Sequence, residues 1–215
     1  MKKLIFIFLS LIVTLDIFAQ DCTQYIYMRK GKTIETTMYN GKGEVMAKTI
    51  SFIFDVSTTA GTTTASVIAE HFDKNGKSGG KKNITYSCNG GALTFDMNAN
   101  GGGNVKFKSG ALSYTGTMSI GQHFDDTNFQ MEMTMGDKTM ESNGKITDRQ
   151  VVAKESVTTP AGTWECFKIT YKTTTTVTGM AMPPMTMETT EWFAPNFGIV
   201  QSRLGAAVSK ITGIR

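Results

Sequence analysis

The chain has 215 residues, with 22 Lys and Arg against 18 Asp and Glu, for a formal net charge of +4. That length suits one domain with a real core. The basic residues are scattered, with only Lys81-Lys82 and Arg29, Lys30 and Lys32 close together, which excludes the concentrated basic stripe that nucleic-acid binding needs.

The first nineteen residues have the layout of a secretory signal peptide: Lys2 and Lys3, an apolar run from Leu4 to Val13 broken only by Ser10, then small Ala19 as the cleavage point. Asp16 interrupts the run, leaving it shorter than the ~20 apolar residues that a membrane-spanning helix needs. No later segment is apolar enough to span. The expected organisation is a signal peptide over 1–19 and a single domain over 20–215, whose net charge is +3 once Lys2, Lys3 and Asp16 are removed. Cys22 follows closely, but Asp21 stands where a lipid-anchor signal wants a small residue, so lipidation is the weaker reading. In an oxidising compartment three cysteines, Cys22, Cys88 and Cys166, allow one disulfide and leave one thiol. Spacing alone leaves all three pairings open.

Beyond the leader the chain is rich in Thr, Gly, Phe, Val and Ile, has only four prolines, and alternates at period two. Ile50, Phe52, Phe54 and Val56 share one face of a strand, against Thr49, Ser51, Ile53 and Asp55. Turn chemistry divides the strands. YNGKGE (39–44) and FDKNGK (72–77) resemble one another, and CNGG (88–91), TPAG (159–162) and APNFG (194–198) follow. Roughly ten strands lie between such turns, the pattern of an antiparallel sheet, sandwich or barrel. Loops are expected over 98–110, which carries GGG, and around 179–184, where Pro183-Pro184 prevents continuous pairing.

Candidate chemistry is sparse. His71 and His123 are the two histidines, and neither sits in a zinc or hydrolase motif. Cys166 has Lys168 two residues on, which could lower a thiol pKa, but no nearby histidine as base, so a packed or disulfide-bonded strand residue is the better reading. Glu188 and Glu191 are three apart and on a strand face opposite sides, which gives no carboxylate pair. No catalytic residues and no cofactor are assigned, and the chain is read as a non-enzyme. Methionine is the unusual feature: Met131, Met133, Met135 and Met140 form one group, Met180, Met182, Met185 and Met187 another. Thioethers suit Cu(I), but no His or Cys adjoins either group, and a flexible apolar lining is the preferred reading.

CTQY, YSCNGG, ESVTTPAGTWECFKITY and EWFAPNFGIVQS occur in this order. Together they resemble the TapB-like family of exported bacterial β proteins, related to a domain of unknown function. The resemblance spans nearly the whole chain after the leader. It implies an all-β domain, an antiparallel and strongly curved sheet forming a barrel or half-barrel, in the Gram-negative envelope. It implies no activity. It favours a Cys22–Cys88 disulfide, although Cys166 also lies within a matching motif. The expected function is an exported, non-catalytic binding module for an apolar or lipid-like ligand, with the loops at 98–110 and 179–184 at its mouth. The alternative is a structural or protein-interaction component of the envelope, with YKTTTTVT (171–178) as an edge strand for a partner. The final address (periplasm, outer-membrane surface or exterior) is open.

Overall fold

The computed structural model describes residues 22–97, 105–135, 137–178 and 183–215. The expected leader over 1–19 and its expected cleavage point after Ala19 therefore lie outside the described residues, as do Met180 and Met182.

Among the described residues, thirteen strands form one antiparallel sheet: β1 (Thr33–Tyr39), β2 (Val45–Thr59), β3 (Thr62–Asp73), β4 (Ser78–Asn89), β5 (Ala92–Asp96), β6 (Val105–Ser109), β7 (Ala111–Tyr114), β8 (Thr127–Met135), β9 (Lys138–Thr159), β10 (Gly162–Val177), β11 (Met185–Ala194), β12 (Gly198–Leu204) and β13 (Ala207–Ile214). The spatial order is β6-β8-β9-β10-β11-β12-β13-β1-β2-β3-β4-β5-β7. The strands at the two ends of this order, β6 and β7, are consecutive in the chain. They are joined at Gly110, so the sheet curls back on itself into a nearly closed barrel. The first and last strands pair within it, Thr33 and Arg215 exchanging backbone hydrogen bonds of 2.8 and 2.9 Å.

Short-range chemistry sets the hairpins. Asn40 Oδ1 accepts from the backbone N–H groups of Lys42 and Glu44, and Asp73 Oδ1 likewise from Asn75 and Lys77, so the two similar turns are built alike. Ala60-Gly61 and Gly90-Gly91 both have positive φ at the two central positions, as tight hairpins prefer. Gly110 has φ +120° where the chain passes from β6 to β7, and a methyl group there would lie 2.7 Å from Phe129 Cβ. Only glycine fits that corner.

Bulges correct the expected faces. On β2 the register shifts between Ile53 and Asp55, and Ile53 is fully buried while Phe52 and Phe54 are 42% and 41% exposed on the outer wall. The more apolar of the two faces is thus the outer one here. On β10 a shift between Lys168 and Ile169 lets Cys166, Ile169 and Tyr171 all be buried, although simple alternation puts Cys166 on the opposite face. Part of the expected 98–110 loop is strand: Val105 and Phe107 alternate with Lys106 and Lys108, and β6 pairs with β8. Lys108 ties that strand to its neighbours through Glu132 (2.7 Å) and Glu141 (2.8 Å). The expected loop around 179–184 ends where β11 begins, at Met185. YKTTTTVT is not an edge, because β10 pairs with β9 on one side and β11 on the other.

One end of the barrel is plugged. Residues 22–28 form two short 3-10 turns, Cys22–Gln24 and Ile26–Met28, whose Tyr25, Ile26, Tyr27 and Met28 are buried. Tyr25 donates to Gly91 O at 2.7 Å, and Ile26 N–H to Phe197 O at 3.1 Å. A disulfide joins Cys22 to Cys88 on β4, with S–S 2.05 Å and Cα–Cα 5.8 Å, and Cys166 is a buried free thiol. From the plug an aromatic chain runs inward: Tyr27 meets Tyr86 and Phe95 edge-on, Phe95 meets Tyr114, and Tyr114 stacks on Phe193 at 5.0 Å.

Candidate functional site

The barrel is filled from the plug to about its middle and hollow beyond. A cavity of about 440 Å³ lies toward the other end, near the β12–β13 turn and the end of β1. Its wall has two characters. Met97, Phe107, Leu112, Phe129, Met131 and Ile146 make an apolar side, carried mainly by β6 to β9. Tyr171, Thr173, Thr175, Thr189, Glu191, Ser202 and Ser209 put hydroxyls and a carboxylate on β10 to β13. Met38, Met187 and Leu204 line the cavity while remaining part-exposed, which marks its mouth.

Alternation builds this lining. Along β8, Phe129 and Met131 point inward between Asn128, Gln130 and Glu132, and along β10, Thr173 and Thr175 point inward between Lys172, Thr174 and Thr176. Phe129 lies directly opposite Gly144 on β9, and its ring occupies the space that a side chain there would need.

The floor is polar. Glu191 is only 6% exposed and accepts hydrogen bonds from Tyr114 Oη at 2.6 Å and Tyr171 Oη at 2.8 Å, one on each carboxylate oxygen. Burial first, and then the neighbouring carboxylate, push both phenols well above their ordinary pKa, so they remain neutral donors. No basic side chain among the described residues forms an ion pair with Glu191. Behind Tyr114, away from the cavity lining, Arg149 is 3% exposed and lies 4.3 Å from the ring centroids of both Tyr114 and Phe124. Its Nη1 donates to Ser113 O at 2.9 Å, while Nε and Nη2 have no hydrogen-bond partner among the described residues.

The residues singled out by sequence fall in different places. His71 sits on β3 beside Thr49, with Nδ1 3.2 Å from Oγ1, and His123 forms an isolated bridge with Gln150 near β9. They do not share a site with any acidic or cysteine cluster, and no group of three His, Cys, Asp or Glu among the described residues could hold a metal. Cys166 is not activated: burial, with Glu165 and Glu155 adding to it, pushes the thiol up to about 12. Lys168 instead approaches Glu155 at 3.6 Å. Glu188 is exposed and Glu191 buried, so the pair splits as strand alternation requires. Of the methionine groups, Met131 and Met187 reach the cavity, joined by Met38 and Met97, whereas Met133 and Met185 are not on its wall. Met135 closes β8 as its last residue. Sequence reasoning missed Glu191, Tyr114, Tyr171 and Arg149 as one cluster. The available signal was a lone carboxylate directly before the apolar run WFAP (192–195).

The geometry defines a nearly closed antiparallel β-barrel, plugged at one end and hollow at the other, with a polar floor between. The chain belongs to the DUF3108-like family, whose profile matches residues 29–204. The relation to a domain of unknown function suggested by the motifs thus holds at the level of this family. Among solved structures, the chain is similar to a candidate exported protein with a YmcC-like fold from Bacteroides fragilis, at 19% identity and TM-score 0.74, over 89% of this chain and 98% of that one. It is also similar to a candidate lipoprotein from Parabacteroides distasonis, at 20% identity and TM-score 0.77, over 91% and 100% of the two chains. These likenesses establish the shared fold. No curated protein matches the chain. No helix among the described residues is long and apolar enough to cross a membrane.

Proposed function

We propose that this protein is an exported, non-catalytic binding module of the Gram-negative cell envelope that holds an apolar, lipid-like molecule inside its barrel. The observation that carries the reading is the hollow half of the barrel. A 440 Å³ space walled by Met, Phe, Leu and Ile and open at one end falls within the ~300–1,000 Å³ typical of small-molecule sites. Methionine suits such a wall, because its unbranched thioether adapts to variable apolar shapes. The leader-like N-terminus and the exported and lipoprotein descriptions of the two structural neighbours support the address. Cys22 is not a lipid-anchor position in this reading, since its sulfur is engaged with Cys88.

A second reading, docking of an envelope partner, draws on the exposed Phe52 and Phe54 of the outer wall. The hollow interior favours the first.

The test is native mass spectrometry of protein purified gently from a Gram-negative periplasm, with fluorescence titration of an apolar naphthylamine dye on the same sample. The expected result is saturable dye binding, competed by whatever lipid-sized adduct is retained, and weakened in Ala207→Phe, which narrows the cavity from its wall. Bare protein with no saturable dye binding would remove the binding-module reading and shift weight to the partner.

A further inference from the structure

The cavity is apolar on one side only, and that asymmetry bears on what it takes. A chain of methylenes would lie against Phe107, Leu112, Phe129 and Met131. Its polar end would then face Glu191, Tyr171, Thr189 and Thr173 across the floor. Resting on the binding-module reading above, we infer that the ligand is an amphiphile with a cationic amine head, seated against Glu191.

Three observations converge. Glu191 is more than nine-tenths buried, lines the cavity, and has no ion-pair partner among the described residues. Each of its oxygens accepts one phenolic hydrogen bond, from Tyr114 and Tyr171. A carboxylate oxygen has two lone pairs, so acceptor capacity remains for a donor arriving from the cavity. The two phenols also hold the carboxylate in place, so an incoming ammonium meets a pre-oriented acceptor. The nearest buried cation, Arg149, is not on the cavity wall; it is held between Tyr114 and Phe124 and bonded to Ser113 O.

A carboxylate or phosphate head would bring a second negative charge to Glu191 in a poorly solvated space, which is costly. An alcohol could donate its one hydrogen but would leave Glu191 without a contacting cation, since Arg149 reaches Tyr114 and Tyr171 only through its field. The expected order of affinity at equal chain length is amine, then alcohol, then acid.

The experiment is displacement of the bound naphthylamine dye from the full mature protein by dodecylamine, dodecanol and dodecanoate at neutral pH, below their aggregation thresholds. Dodecylamine should bind at least about tenfold more tightly than dodecanoate. In Glu191→Gln, which keeps the shape and removes the charge, the two should come within about threefold of one another. The wild-type series stands without the variant should that variant fold poorly. A wild-type ratio below tenfold, or an acid that binds better, overturns the inference while dye binding leaves the cavity reading intact. No dye binding at all overturns both.

Discussion

Replacing Cys22 and Cys88 with serine removes the covalent tether between the N-terminal plug and the barrel wall, and the size of the effect can be worked out. The bond spans 66 residues of sequence. Closing a loop of that length in the unfolded chain lowers its entropy by about 15 cal/mol/K, or about 4 kcal/mol at 25 °C. The buried contacts of Tyr25, Ile26, Tyr27 and Met28 do not depend on the bond, so the plug stays docked and the loss is carried by the unfolded state. Urea unfolding followed by the fluorescence of Trp164 and Trp192 should therefore show a midpoint lower by about 1.5 M for a chain with m near 2.5 kcal/mol/M. The slope should rise as well, because the untethered unfolded chain exposes more surface. A loss under about 1 kcal/mol with unchanged slope would refute this reasoning. It would mean that the sulfur bridge restricts the unfolded chain far less than loop-closure entropy requires.

Gly144→Ala places a methyl group in the space of the Phe129 ring and should cost about 1–3 kcal/mol as overpacking; adding Phe129→Leu should recover part of it, and strict additivity of the two changes in urea would contradict the contact. Alkaline pH should unfold the protein steeply. Burial raises Cys166 and Tyr25 to about 12 and pushes Tyr27, Tyr86, Tyr114 and Tyr171 up as well. Their stabilising effect is complete below the unfolded values of 9.0 for the thiol and 10.0 for the phenols and is lost as pH climbs toward the folded ones, at about 1.4 kcal/mol per pH unit for each group. Phenolate absorbance should rise in one cooperative step together with loss of the far-ultraviolet strand signal; gradual, independent titration would count against it. Native protein at pH 8 should resist iodoacetamide at Cys166 and react once denatured, and fast alkylation of the folded form would restore the nucleophile reading. Copper should pass to a weak competitor in a Cu(I) titration: Met131 on β8 and Met187 on β11 are three strands apart, about 14 Å along the wall, and retention of one equivalent lost in Met131→Leu would reverse this.

Much of the architecture was legible because its causes are local. Period-two alternation, β-branched residues and Asn-Gly turns require no distant partner, and they yielded an all-β antiparallel chain with most of its hairpins in place. The strand count fell short, near ten against thirteen, because β5, β6 and β7 are only four or five residues long. Two lysines on β6 also read as loop polarity until Glu132 and Glu141 supply partners for Lys108.

The faces were less legible than the strands. A single bulge reverses every inward assignment beyond it, and alternation in Phe52-Ile53-Phe54 gives no sign that the smaller side chain is the buried one. The same limit hid the site. Glu191, Tyr171 and Tyr114 come from β11, β10 and β7, the outer two 77 positions apart, and no local pattern links them.

By itself, then, the sequence determined an antiparallel β chain with tight hairpins, since these rest on backbone propensity and residue type within a few positions. Only the tertiary structure decided that the sheet curls shut at Gly110, that the plug fills one half and leaves the other hollow, and that one carboxylate ends up at the floor of an apolar space. Those outcomes depend on which distant strands meet and which face each bulge turns inward. They are properties of closure, and closure is a sum over the whole sheet.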